Sequence, residues 1–289
     1  MKKLLVLATI VSLALFSCKD NGGDDPDDPN NGGGTAPENY TSKVLVEYTT
    51  CAGCTYCPDG PVYIDKLIAS YGANSVFGVA MHNTYQGADN MKTDESQAFS
   101  DSYSAGNPTG MVNRIGGKCE SRSGWAGKAA AVTSEDAVCG LSIDASNKVG
   151  TTYKIKVKVG VGKNDLPAGK YYVIAYLTQK EMSGTGSGWD QANYYNNTAG
   201  HPMYGKGSPV KGYIHHNVFR KSLNTMNGTL IPSDKMKART ISEYEMDLDM
   251  AGLDPAGHEI TAFVYFKSVS APYVQNVQRV ALGSSKSFD

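Results

Sequence analysis

Three cysteines stand in one short stretch, KVLVEYTTCAGCTYCPDG from Lys43 to Gly60, as two overlapping C-x-x-C spacings, Cys51/Cys54 and Cys54/Cys57, followed by Pro58. A β-branched run, Val44 and Val46, leads into this turn and a helical pattern leaves it. At a helix N-terminus the unsatisfied N–H groups and the helix dipole favour a thiolate on Cys54, the attacking species in disulfide exchange. Cys57, one turn later, is placed to resolve a mixed disulfide. No basic residue separates the two and Asp59 adds negative charge. The expected couple is therefore a modest reductant or isomerase, not a strong oxidant. The alternative is a structural disulfide with no turnover.

Three thiols also raise a metal site. Zinc takes four ligands, and the fourth would have to come from His82 or a distant cysteine, so the expectation is no metal and no other cofactor. His82 is expected to end a strand on the same rim as the cysteines, where it would exchange a proton with Cys57 or bond to backbone. His215 and His216 are neighbours in a strand pattern and point to opposite faces, which does not suit a shared metal. The chain has six cysteines, and with Cys18 set aside as a lipidation site five remain (6 − 1). Cys54–Cys57 and Cys119–Cys139 are the natural pairs. Cys51 is left as an extra redox thiol that would exchange with Cys54 or pair between molecules, and the sequence does not choose. A long segment, 182–212, carries Trp189, Tyr194, Tyr195, His201 and Tyr204 among Gly and Asn. It reads as a binding loop for sugar or peptide, or as a self-packed cover.

The elements that must position these residues follow from periodicity. A strand at 43–48 precedes the cysteine turn. Val62, Ile64, Leu67, Ile68 and Tyr71 recur at three- and four-residue steps, a helix that Gly72 can end. The apolar run SVFGVAMH at 75–82 suits a parallel sheet. A helix is expected at 94–104, a strand at 111–115 after Pro108, and an Ala-rich helix at 125–132. Beyond residue 135 the chain reads as strands. Tyr153, Ile155, Val157, Val159 and Val161 alternate with Lys154, Lys156 and Lys158, and further strands are expected at 171–177, 213–219, 244–248, 260–266 and 274–282. The expected organisation is an α/β domain over 42–135 followed by an all-β, immunoglobulin-like sandwich over 136–289.

Residues 1–17 read as an export signal, with Lys2 and Lys3 before an apolar run. Leu15-Phe16-Ser17-Cys18 resembles a bacterial lipobox, with cleavage before Cys18 and lipid on its sulfur; several acyl chains would anchor the protein stably in a membrane. The stretch 18–41 is rich in Gly, Pro and acid and nearly free of apolar side chains, so it is expected to be a disordered tether. Its acidic start resembles the signal by which Bacteroidetes send lipoproteins to the cell surface. The formal net charge of −1, with no basic block, argues against nucleic acid as a partner.

These features together resemble the outer membrane protein 28-related lipoproteins of Bacteroidetes. The residues that carry the likeness are Glu47, Thr50, Cys54, Cys57 and Pro58, then His82, then Pro108-Thr109-Gly110 with Asn113-Arg114, and the segment YIHHNVFRKS around Tyr213, His216 and Arg220. The likeness implies a thioredoxin-like domain joined to a β-sandwich, with Pro108 as the cis-proline beside the dithiol. It implies an outer-membrane location, anchored by lipid, at the cell surface or on the periplasmic face. Two functions stay open: thiol–disulfide exchange on protein cysteines, or a non-catalytic binding, adhesion or uptake-accessory role for a surface ligand.

Overall fold

The first strand, β1 (Val44–Thr50), runs straight into the cysteine turn and is buried along its whole length. The turn opens α1 (Asp59–Tyr71), which buries Ile64 and Leu67 and ends at Gly72, whose N–H donates to the Ile68 carbonyl. The chain then returns as β2 (Val76–His82), parallel to β1 in the register Val44↔Val76 to Thr50↔His82. These elements belong to a computed structural model that describes residues 34–289.

A capping box formed by Thr93 and Ser96 starts α2 (Asp94–Tyr103). It is followed by β3 (Thr109–Val112), antiparallel to β1, the short β4 (Glu120–Ser121) and α3 (Trp125–Thr133). Then come β5 (Cys139–Val149), β6 (Thr152–Val161), β7 (Lys170–Met182), β8 (His215–Ser222), β9 (Thr229–Leu230), β10 (Ile241–Asp249), β11 (His258–Lys267), β12 (Tyr273–Ala281) and β13 (Ser285–Lys286).

The strands form two sheets. A small one has the order β10-β6-β5-β13; a nine-stranded one has the order β12-β11-β7-β8-β2-β1-β3-β4, with β9 on β7. The large sheet thus holds strands from both sides of residue 135, because β2 pairs in parallel with β8 at Ala80↔Val218. One core lies between the sheets and takes Leu141, Ile143, Val157, Val173, Ala175, Leu177, Ile260 and Ala262. The other face of the large sheet buries Ile174, Tyr176, Phe263 and Val277 together with Phe77, Met81 and Phe99. Strand β7 is therefore apolar on both faces, whereas β6 alternates and sets Lys154 and Lys156 outward against Asp247 and Glu243 of β10. Among the described residues no helix is long and apolar enough to cross a membrane.

The expected tether is shorter than its composition suggests. Ala36 and Tyr40 are buried, and Tyr40 bridges to Ala137 while its ring lies on Gly140 and its hydroxyl on Gly160. A Cβ at Gly140 would meet the ring at 2.1 Å, so a single aromatic over two glycines ties this segment to the small sheet. Residues 1–33, with the expected signal and Cys18, lie outside the described residues.

Candidate functional site

Because β1 is central and parallel to β2, its carboxyl end delivers the cysteine turn to the rim of the large sheet. Cys54 and Cys57 are joined as a disulfide at the start of α1. Both are nearly inaccessible, at 3% and 2% exposure, and Cys51, a free thiol, packs against them at 0%. Gly53 lets the turn press against the following loop; a Cβ there would lie 1.8 Å from the Gln86 carbonyl oxygen.

The Asn107–Pro108 bond is cis, as the sequence leads one to expect. The side chain next to it attends to Cys51. Asn107 Nδ2 lies 3.5 Å from Cys51 Sγ and donates to Gln86 Oε1 at 2.8 Å, while the Cys51 thiol donates to the same Gln86 oxygen at 3.0 Å. Burial pushes the Cys51 pKa up against these bonds, which keeps it a thiol at neutral pH.

The segment between β7 and β8 covers the turn. Gln191, itself buried, donates from Nε2 to the carbonyls of Cys51, Ala52 and Cys54 at 3.3, 3.1 and 2.9 Å. The Ala192 and Tyr194 N–H groups donate to the Ala52 and Thr55 carbonyls, both at 2.8 Å. A second hold lies at the helix start. Asp59 accepts from Arg122 Nε and from His201 Nε2, Arg122 Nη2 donates to the Tyr195 hydroxyl at 2.9 Å, and the Tyr195 and His201 rings stack at 3.9 Å. Burial acts to raise the Asp59 pKa, but Arg122 and His201 outweigh it and hold the carboxyl below its usual range. The negative charge expected to oppose a Cys54 thiolate is thus already paired.

The four aromatics of the loop divide. Tyr195 is buried, and Trp189 packs with Ala52, Met91 and Val218. Tyr194 and Tyr204 are exposed, and the Tyr194 ring stands 4.5 Å from that of Tyr56 in the cysteine turn, which is also exposed.

His82 ends β2 on the expected rim, but its partner is neither Cys57 nor backbone. Its Nδ1 lies 2.8 Å from Asp89 Oδ2, an oxygen that also accepts from the Ala52 N–H at 2.8 Å. Burial raises the Asp89 pKa; His82 and the N–H groups of Ala52 and Met91 outweigh it, so the group stays ionised below the usual carboxylate range. His215, edge-on to His82 at 5.2 Å, bonds through Nε2 to the Trp189 carbonyl at 2.8 Å, which fixes the proton on that nitrogen. Burial, then the neighbouring His82, lowers its pKa from 6.5 to about 4. His216 faces away and is exposed.

The expected Cys119–Cys139 pair is corrected. Both are free thiols, with pKa values pushed up to about 12, in each case chiefly by burial. Cys139 faces the core between the sheets and Cys119 packs on the other face of the large sheet, so the sheet separates them. Among the described residues no group of His, Cys, Asp and Glu is placed to hold a metal. Gln191 and Arg122 had no signal in the sequence, because each acts through a contact between segments far apart in the chain, and Asp89, seven residues from His82, sits in a loop with no periodic pattern to mark it.

A family model described as "Outer membrane protein Omp28" matches residues 96–286. The cysteine turn and His82 precede the matched segment; Pro108 and the covering loop lie within it. Among solved structures, HBP35 of Porphyromonas gingivalis shares the fold with a TM-score of 0.63 at 18% identity, over 85% of this chain and 76% of that chain. No curated protein matches the chain.

Proposed function

Because the chain belongs to the Omp28 family of outer membrane proteins, we propose that it is a lipoprotein of the outer membrane, held by lipid on Cys18 and exposed at the cell surface, that works as a non-catalytic binding scaffold. In this reading the β1–α1–β2–β3 unit is a thioredoxin-like domain, supported by the cysteine turn at a helix start and by β1 pairing in parallel with β2 and antiparallel with β3. Its disulfide serves as a staple, not as a redox couple.

The observation that carries the reading is the cover: Cys54 and Cys57 are 3% and 2% exposed beneath a loop bonded to three carbonyls of their turn. Disulfide exchange needs an approach to one sulfur in line with the bond, and access governs its rate. Thiol–disulfide exchange on protein cysteines is the second reading, favoured by the packing of Cys51 against the pair; it requires the loop to open. The test is iodoacetamide alkylation of the folded protein after treatment with a dithiol. The scaffold reading expects Cys54 to react far more slowly than an open thiol, and expects no mixed disulfide to accumulate in Cys57→Ser. Rapid labelling of Cys54 with trapped mixed disulfides would establish exchange instead. Protease access to the folded domains on intact cells tests the surface location.

A further inference from the structure

The loop that closes the cysteine turn also leaves a groove against α1. It has a volume of about 720 Å³ and begins at Pro58, directly after the disulfide. Its walls are apolar: Val62 comes from the helix, and Met203 and Ile214 from the loop. Ile214 is 45% exposed, an apolar side chain held open to solvent at the groove. Lys66 stands on the helix wall and Lys206 on the loop wall, with Asp65 the one carboxylate of the lining. Neither lysine has a carboxylate partner among the described residues; Lys66 rests 4.6 Å from the Tyr63 ring.

A cavity of this size, mostly apolar with a few charged groups, has the make-up of a small-ligand site. Two unpaired ammonium groups on opposite walls add a net positive field, which an anion would complement. We propose that this groove binds a small amphipathic carboxylate, an apolar body seated between Val62, Met203 and Ile214 with its head group against Lys66 and Lys206. The proposal gives the scaffold reading above its ligand class and rests on it.

The probe is dansyl-undecanoate, titrated by fluorescence into the full chain carrying Cys18→Ser, which cannot take lipid. Saturable binding is expected. Lys66→Glu with Lys206→Glu, both exposed, should weaken it about tenfold or more and leave binding of the methyl ester unchanged. Ile214→Gln should weaken acid and ester alike, and Lys163→Glu, a remote exposed lysine, should alter neither. Absence of saturable binding, equal affinity for acid and ester, or indifference to the paired charge reversal would each overturn the proposal. Those results leave the scaffold reading standing, since that one fails only by rapid Cys54 labelling and mixed-disulfide trapping.

Discussion

Arg114 carries its charge into the interior of the large sheet. Its Nε and Nη2 donate to the two Glu47 oxygens at 2.7 and 2.8 Å, Nη2 also donates to the Tyr176 hydroxyl at 2.8 Å, and Phe263 and Tyr265 flank it at 5.0 and 4.8 Å. Removing one member leaves the other charge buried without a partner, so Arg114→Ala should cost about 3–5 kcal/mol in denaturant unfolding. Replacing both, as Glu47→Gln with Arg114→Met, should cost less than Arg114→Ala alone. His215 sets a pH limit. Its folded pKa of about 4 lies below the usual 6.5, so as pH falls through that window the unfolded chain takes up a proton that the folded protein refuses. Stability should therefore be complete above about 6.5 and decline toward pH 4 by about 3 kcal/mol. His215→Gln, which can still donate to the Trp189 carbonyl, should flatten that decline in unfolding midpoints measured across the range.

At the scale of elements, the covering loop and the entry segment make the sharpest claims. Gln191→Leu removes three bonds to the cysteine turn, so reduced Cys54 should be alkylated several-fold faster than in the parent while the unfolding midpoint falls only modestly. A chain beginning at Thr41 loses Ala36 and Tyr40 from the small sheet, and its Tm should drop by about 5 °C or more. An equal Tm would mean that Tyr40 is not held. The elements themselves were largely legible. The period of two in β6, the helical steps of α1 and the stop at Gly72 each state a local rule that the fold obeys. Local rules did not reach Tyr40, an aromatic in a Gly- and Pro-rich run whose burial depends on glycines about 100 to 120 positions away. Nor did they reach the cover: the loop's aromatics signalled contact, but Gln191 and Arg122, which hold it in place, are ordinary polar residues until their partners arrive.

For the whole molecule, the decisive fact is that one sheet joins both expected domains. Asn113 ties β1 to β12, accepting from the Leu45 N–H at 2.7 Å and donating to the Lys43 and Val274 carbonyls at 3.2 and 3.1 Å. The two halves should therefore unfold together. In Trp125→Phe the one remaining tryptophan, Trp189, reports the loop; its fluorescence should share a midpoint with far-ultraviolet circular dichroism of the strands. Two separated transitions would mean that the halves are independent.

The pairing of β2 with β8 has a consequence in time. Ala80 meets Val218 across 138 intervening steps of chain (218 − 80), so during synthesis β2 emerges with one edge bare and waits for its neighbour. Contacts this distant in sequence slow folding, and an unpaired apolar edge invites pairing with another chain in the interval. A nascent chain of this design depends on being shielded until β8 has emerged: the part that carries the cysteine turn is made early and is completed only when that much later strand arrives.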